Sequence, residues 1–439
     1  MTQAGEVEMD QKRAVRSGPR PLPLHLTTAM LTWLSSPNAS KLWKNGLLPW
    51  NPTLRPRAEA LANALTPDLT PDLAPDQAAK SQGNPNSPDV TEEIWAEFSQ
   101  ALEAEIGRRA NDLLTGILAY RRHPYSRPDE THPAVWSEGT THLLDYAPGA
   151  RKATPVLVVP SLVNRHYVLD LVPGQGFLGF LVASGYRPMV VDWGAPGEIE
   201  SNFTLTDYIA GRLERVLDTV LAETEQQPIV LGYCMGGLLA LALAGRRAKD
   251  VAGLALLATP WDFAEDAPAI VAGLPALEPS LGATIDSVGI LPTDLIQALF
   301  FGLDPMQVIR KFLRFAELDP DSAEAMEFVA VEDWLNDGVP LAGPVAREAL
   351  FGWYGRNTPA GLAWRVAGDV VDPGDVTVPA LAVIPSRDRI VPPGSARALA
   401  RALPNCRELA TPLGHIGMAV SRSARKRAWL GILQWMENI

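Results

Sequence analysis

Residues 230–237 read Val-Leu-Gly-Tyr-Cys-Met-Gly-Gly, an apolar run that passes through Gly-x-Cys-x-Gly into the Ala-, Leu- and Gly-rich stretch LLALALAGR (238–246). A strand that hands over to a helix at one residue puts that residue on a sharp turn. The positions two before and two after it must be small, because the backbones crowd there. Gly232 and Gly236 meet that requirement, and Cys234 occupies the turn. The start of the following helix presents backbone N–H groups that stabilise a thiolate and face a developing oxyanion. A buried free cysteine needs none of this flanking pattern, so Cys234 is read as a nucleophile.

Outward from this turn the chain alternates strand and helix. Val156–Val159, Pro188–Asp192, Ile229–Leu231, Leu254–Leu257 and Leu381–Ile384 are short apolar runs, as expected of strands covered on both faces. Residues 135–146 (VWSEGTTHLLDY) read as a hairpin turning at Glu138-Gly139. Leu205, Ile209, Leu213, Val216, Leu217, Val220 and Leu221 form a helical stripe that would cover the sheet. Between Pro260 and about Val378 the alternation gives way to Pro- and Gly-punctuated helical text, including Leu295 to Phe315 and Val331 to Tyr354, which reads as a cap over the strand ends. The fold class is α/β, with a mostly parallel central sheet, an inserted helical cap and a Pro-rich N-terminal extension.

Upstream, twelve of the 39 prolines precede Val90, and Thr66 to Pro88 repeats Thr/Ala-Pro-Asp with almost nothing large to bury, which reads as a linker. Leu24 to Leu34, with Trp43 and Trp50, reads as a short amphipathic element that docks on its own domain in preference to a partner or a hydrophobic particle. Ile94, Phe98, Leu102, Ile106, Leu113, Leu114 and Leu118 recur at helical spacing. The expected organisation is a Pro-rich, partly disordered extension over 1–90, an N-terminal helix over 91–132, and a catalytic domain over 133–439 with its cap insertion at about 261–350.

A nucleophile needs a base. Of six histidines, His25, His123, His132, His142, His166 and His415, only His415 follows the cysteine. It lies between glycines in LGHIG (413–417), ahead of a final amphipathic helix (Ala428 to Met436). In α/β-hydrolases the chain order is nucleophile, acid, histidine. Asp388 in ALAVIPSRDRIVPP (380–393) directly follows a strand and precedes His415 by 27 residues, room for one helix and one strand. It would hold the histidine tautomer and stabilise the imidazolium. Asp192 and Asp170 read as turn or pocket-lining residues, and Cys406 as structural.

Composition narrows the function classes. The 439 residues are 47% hydrophobic and 20% charged, ordinary for a globular chain. The net charge of −12 argues against a nucleic-acid partner. Two cysteines supply neither a disulfide framework nor a thiolate metal site, so no metal is expected and the compartment reads as reducing. No apolar run reaches the roughly 20 residues of a membrane span, and the expected location is the cytoplasm. The basic cluster RSARKR (422–427) reads as a solvated helix face.

From about Pro133 to Met436 the chain resembles the poly(3-hydroxyalkanoate) synthases of the α/β-hydrolase superfamily. PSLVNRHYVLDL (160–171) is similar to a conserved block of that family, and DWGAP (192–196) with LTDYI (205–209) resembles its short, class III-like catalytic subunits. GYCMGG (232–237) resembles the cysteine box, AVEDWL (330–335) the cap-exit segment, RDRIVPP (387–393) the aspartate loop and GHIG (414–417) the histidine loop. Arg389 stands where the family commonly has histidine. The resemblance implies a triad of Cys234, Asp388 and His415, an oxyanion held by the backbone N–H groups of Met235 and Val163, and 3-hydroxyacyl-coenzyme A as substrate with no resident cofactor. It further implies a polyester chain as product, a second synthase subunit or a homodimer as partner, and a granule surface as the place of action. The implied function is an acyltransferase that polymerises 3-hydroxyacyl-coenzyme A through an acyl-cysteine. A cysteine-dependent hydrolase (polyester depolymerase or thioesterase) and a non-catalytic granule-associated or partner-binding scaffold are the alternatives the same residues leave open.

Overall fold

The structure, a computed structural model, describes residues 16–44, 47, 55–65, 90–128 and 132–439. Trp50 and the Thr66 to Pro88 stretch lie outside them. The chain divides into two compact units, one containing His123–Asp304 and Asp321–Ile439, the other Arg16–Arg122 and Pro305–Pro320.

The larger unit is built on eight strands: β1 (Ala134–Glu138), β2 (Thr141–Asp145), β3 (Thr154–Val159), β4 (Tyr186–Asp192), β5 (Ile229–Tyr233), β6 (Gly253–Leu257), β7 (Ala380–Pro385) and β8 (Cys406–Thr411). Their spatial order is β1-β2-β4-β3-β5-β6-β7-β8. The hairpin and its junction with β4 are antiparallel, and every pairing from β4 onward is parallel. The apolar runs explain both the class and the burial. Side chains alternate across a strand, so Leu157 and Val159 of β3 enter one core while Val156 and Val158 enter the other. The helices Glu214–Thr224 and Met235–Arg246 complete the first core, and Phe177–Ala183 with Leu430–Met436 the second. The expected stripe Leu205, Ile209, Leu213, Val216, Leu217 and Val220 is completely buried, with Leu221 at its half-buried margin. Observed strands run one or two residues beyond the apolar runs, because pairing with neighbours extends them past the hydrophobic text.

The insertion between β6 and β7 carries the helices Ala269–Val288, Thr293–Phe301 and Ala323–Asn336. Helical text from Leu295 to Phe315 is not one element: the helix stops at Phe301, before Gly302 and Pro305. The next helix, Gln307–Phe315, belongs to the smaller unit. Pro and Gly end helices in this way.

In the smaller unit, Gln307–Phe315 packs with the helices Leu22–Lys44 and Val90–Arg122, and Arg55–Leu65 packs on the latter. A Cβ on Gly116 would run into the carbonyl of Phe312, so only glycine allows this approach, and Tyr120 meets the Phe312 ring edge-on at 5.8 Å. The amphipathic element expected over Leu24 to Leu34 extends to Lys44, burying His25, Ala29 and Trp33 while Met30, Leu31 and Leu34 stay exposed. On Val90–Arg122 the buried face runs through Trp95, Leu113, Ile117 and Tyr120. Leu114 and Leu118, expected on the packed stripe, are exposed, because the aromatic partners across the contact select the face one residue away. Among the described residues no helix is long and apolar enough to cross a membrane.

A buried ion pair ties β2 to β4. The Arg187 Nε and Nη2 donate to Asp145 Oδ2 at 3.0 and 2.6 Å, and Ala147 N–H donates to the other carboxylate oxygen at 2.9 Å. Both side chains are buried, and removing one partner leaves an uncompensated charge. Arg187→Met is expected to lower the unfolding free energy by about 3 kcal/mol or more, measured by urea denaturation; a loss below about 1 kcal/mol would show that the pair contributes little.

Candidate active site

The site lies at the carboxyl ends of the parallel strands, where open α/β sheets place their ligands. Cys234 stands between β5 and the helix Met235–Arg246 with φ 55° and ψ −126°, a conformation that costs a non-glycine residue about 1–3 kcal/mol. Its surroundings hold it there. Cys234 N–H donates to Leu257 O on β6 at 2.9 Å, and Gly237 N–H donates to Cys234 O at 2.9 Å. A Cβ on Gly236 would collide with the Val159 and Pro160 carbonyls, and one on Gly232 with Gly237 Cα. The two glycines therefore let the elbow close onto β3 and onto its own helix.

Asp388 and His415 come from the loops that follow β7 and β8. Ser386 N–H donates to Thr411 O at 2.8 Å and Arg387 N–H to Leu413 O at 3.0 Å, so the loops are joined backbone to backbone. Asp388 Oδ1 accepts the N–H groups of Ile390 and Val391 at 2.8 and 2.9 Å. Its Oδ2 is 2.7 Å from His415 Nδ1. A carboxylate accepts, so Nδ1 carries the proton and Nε2 is left for Cys234, whose sulfur is both a charge partner and a hydrogen-bond partner of the ring.

Burial alone would lower the basicity of His415. The charges on Cys234 and Asp388, with hydrogen bonds from both, outweigh it and push the ring up to about 10. By contrast, burial pushes the thiol of Cys406 up to about 11, which keeps it protonated and unreactive. Asp170 holds a turn, accepting the N–H groups of Gly174 and Gly176 at 3.0 and 2.9 Å. Asp192 accepts Gly194 N–H at 3.1 Å and lies 3.4 Å from His166. Arg389 points to solvent and pairs with Asp304 at 2.7 Å.

Cys234 opens onto a cavity of about 140 Å³, which Met235 and Val163 also line. Met235 is the first residue of its helix, so no carbonyl one turn earlier takes its N–H. The Val163 N–H donates to Ser161 Oγ at 3.3 Å, a long bond that a stronger acceptor can displace.

Two tyrosines that no motif spacing singles out stand at the site. Tyr233 donates its hydroxyl to His415 O at 3.3 Å with the rings 5.3 Å apart. Its place beside Cys234 in the motif was the only signal. Tyr354 lines the cavity with Cys234, and its hydroxyl is pushed up by burial, then by the charges of Cys234 and Asp388. Nothing local marks Tyr354, because its position depends on how the insertion folds.

This turn, the acid and base loops and the sheet order define an α/β hydrolase. Residues 154–419 match the family described as the alpha/beta hydrolase fold, to which the chain belongs. Within that class it is a member of the poly(3-hydroxyalkanoate) polymerase family. It is 31% identical over 313 residues to the poly(3-hydroxyalkanoate) polymerase subunit PhaC of Allochromatium vinosum, covering 70% of this chain and 88% of the relative. The subunit of the same name from Thiocystis violacea is 30% identical over 313 residues, 70% and 87% of the two chains, and that of Synechocystis sp. 30% over 316 residues, 70% and 84%.

The His415 balance has a measurable sign. Its folded value of about 10 lies above the ordinary 6.5. The imidazolium therefore contributes stability that is fully present below pH 6.5 and lost as pH rises through about 10. In an NMR titration of the ring, Asp388→Asn and Cys234→Ala should each lower the His415 pKa, and the double variant should bring it below 6.5, since burial is then the surviving influence. Unchanged titration in both single variants would contradict this balance of charges.

Proposed function

We propose that this chain polymerises 3-hydroxyacyl-coenzyme A into polyhydroxyalkanoate by acyl transfer through Cys234. The observation that carries the reading is the 2.7 Å contact between His415 Nδ1 and Asp388 Oδ2 behind an elbow that holds a cysteine, in a chain of the polymerase family. His415 holds the proton taken from Cys234 Sγ, and the thiolate attacks the thioester carbonyl. The backbone N–H groups of Met235 and Val163 receive the oxyanion, Val163 giving up its long bond to Ser161. Collapse expels coenzyme A, which takes the proton from His415, and leaves an acyl-cysteine. The 3-hydroxyl of another acyl unit then attacks. His415 accepts the hydroxyl proton, an ester forms, and the proton returns to Cys234 as its sulfur departs.

Asp388 orients the ring and stabilises the imidazolium formed in each half-reaction. The mostly apolar cavity supports transfer to a chain alcohol over transfer to water, because it favours a hydrocarbon-bearing acceptor. The thioester is a substrate, and the steps call for no metal or resident cofactor. The reading places the protein in the cytoplasm at the surface of polyester granules, with a second synthase subunit or a second copy of itself as partner.

The test is to follow thiol release and product mass together on 3-hydroxybutyryl-coenzyme A. Wild type should release thiol and form oligomeric ester. Cys234→Ala should reduce both to background, and Asp388→Asn should lower kcat by about 10³–10⁴-fold. Thiol release with free hydroxy acid as the sole product would make the protein a hydrolase. Activity that survives Cys234→Ala would overturn the mechanism.

A further inference from the structure

Val163, whose N–H serves the proposed reaction as an oxyanion donor, lies in the segment after β3. That segment is bonded to the insertion at four positions, Val163, Asn164, Arg165 and Tyr167. Val339 N–H donates to Val163 O at 3.2 Å, and Asn164 and Gly338 form an antiparallel bridge. Trp334 Nε1 donates to Arg165 O at 2.8 Å, and the Tyr167 hydroxyl donates to Asp337 Oδ2 at 3.0 Å. Trp334 is buried near the end of the helix Ala323–Asn336, where an indole N–H requires a partner, and this carbonyl is the one it has. Arg165 Nε lies 3.7 Å from the other Asp337 oxygen. Burial first, then the Asp337 charge, push the Tyr167 hydroxyl up, which keeps it a donor.

On the sheet side the segment is held at its start, where Trp193 Nε1 donates to Pro160 O at 3.0 Å. The Val163 N–H itself has the long 3.3 Å bond to Ser161 Oγ, which is too weak to aim it. Each residue keeps two soft dihedrals, so an N–H is aimed by whatever fixes the chain on both sides of it. Before Val163 that is β3, and after it residues 334–339. These residues are anchored in turn: Gln297 Nε2 donates to Leu335 O at 3.0 Å and Thr293 Oγ1 to Gly338 O at 3.3 Å, both from the helix Thr293–Phe301. A Cβ on Gly338 would stand 3.0 Å from the Thr293 methyl and 3.3 Å from Asn164 Oδ1, so the bridge closes tightly at a residue without a side chain. Met235 differs, because its N–H is aimed by the helix it begins.

We infer that Trp334 and Asp337 are positioning residues: through Arg165 and Tyr167 they hold the Val163 N–H at the place where the oxyanion forms. The inference rests on the acyl-transfer reading, which assigns that N–H, and adds the residues that aim it. Losing one oxyanion donor costs about 10²–10³-fold in kcat, and a displacement of about 1 Å costs about 10²-fold. Trp334→Phe keeps the ring and removes its N–H, and Tyr167→Phe removes the hydroxyl. Each should lower kcat for thiol release about 10–100-fold and leave KM within about threefold. Asp337→Ala should do the same, whereas Asp337→Asn, which keeps an acceptor for the tyrosine hydroxyl, should stay within about threefold of wild type. Tyr167→Phe combined with Asp337→Ala should be no slower than Asp337→Ala alone, because the same bond is lost.

Two reagents that react with Cys234 isolate the oxyanion step. Acylation by p-nitrophenyl acetate forms a tetrahedral oxyanion before p-nitrophenolate leaves, whereas alkylation by iodoacetamide displaces iodide at a saturated carbon and forms none. Both rates are measured on the full chain, acylation by p-nitrophenolate release and alkylation by mass at the Cys234 peptide, beside kcat and KM for thiol release from 3-hydroxybutyryl-coenzyme A. The expected result is acylation at least about tenfold slower in Trp334→Phe, Tyr167→Phe and Asp337→Ala, with alkylation within about twofold of wild type and acylation restored in Asp337→Asn. If Trp334→Phe does not fold, the half-buried Tyr167 carries the test. Equal losses in acylation and alkylation would mean a general disturbance of the site and overturn the inference, as would acylation unchanged in the folded variants. If wild type releases no thiol from the thioester, the acyl-transfer reading fails, and the positioning role stands or falls on the ratio of acylation to alkylation. A wild type alkylated at Cys234 and not acylated has no working oxyanion donor, which removes both.

Discussion

Holding Cys234 at positive φ is the constraint on which the rest of the site depends. A cysteine does not adopt φ 55° unaided, and the neighbourhood supplies what is needed. Leu257 O on the adjacent strand takes its N–H, while Gly232 and Gly236 permit the close approach of β3 and of the turn's own helix. Each of these partners belongs to the buried centre of the parallel sheet. The turn is thus set by the same packing that defines the fold, and the strain is spread over contacts that are present before any substrate arrives.

The second ordering influence is electrostatic. His415 sits where burial disfavours its charge, and the two anionic partners reverse the outcome. This works because Asp388 is itself secured. One oxygen is held by two backbone N–H groups, and only the other faces the ring. Backbone bonds between the loops after β7 and β8 make the Asp388 and His415 loops a single piece of structure. Cys234 is fixed separately, between β5 and its helix, with its N–H bonded to Leu257 O on β6.

Much of this was legible because it is local or ordinal. The Gly232, Cys234 and Gly236 spacing is a steric requirement written in consecutive residues. His415 followed from being the only histidine after the cysteine, and Asp388 from chain order after an apolar strand. Central strands were readable because burial on both faces leaves nothing but apolar side chains. What escaped depended on partners distant in the chain. Periodicity allowed the face with Leu114 and Leu118 as readily as the one with Leu113, Ile117 and Tyr120, and the aromatic contact with Phe312 decided between them. The break at Gly302 and Pro305 was visible as punctuation, but not that it sends the following helix to the smaller unit. Tyr354 reaches the cavity through the fold of the insertion, and no spacing in the chain encodes that.

Sheet and insertion divide the site between them. Cys234, Asp388 and His415, and the backbone groups of Val163 and Met235, all stem from the sheet and its connecting turns. Leu274, Leu291, Ile296 and Trp353, which shape the cavity, all stem from the insertion between β6 and β7. Substitutions in one set leave the covalent architecture of the other intact. The outer and inner walls of the cavity are therefore supplied by two parts of the chain, the sheet's connecting turns beside Cys234 and residues 258–379 facing them.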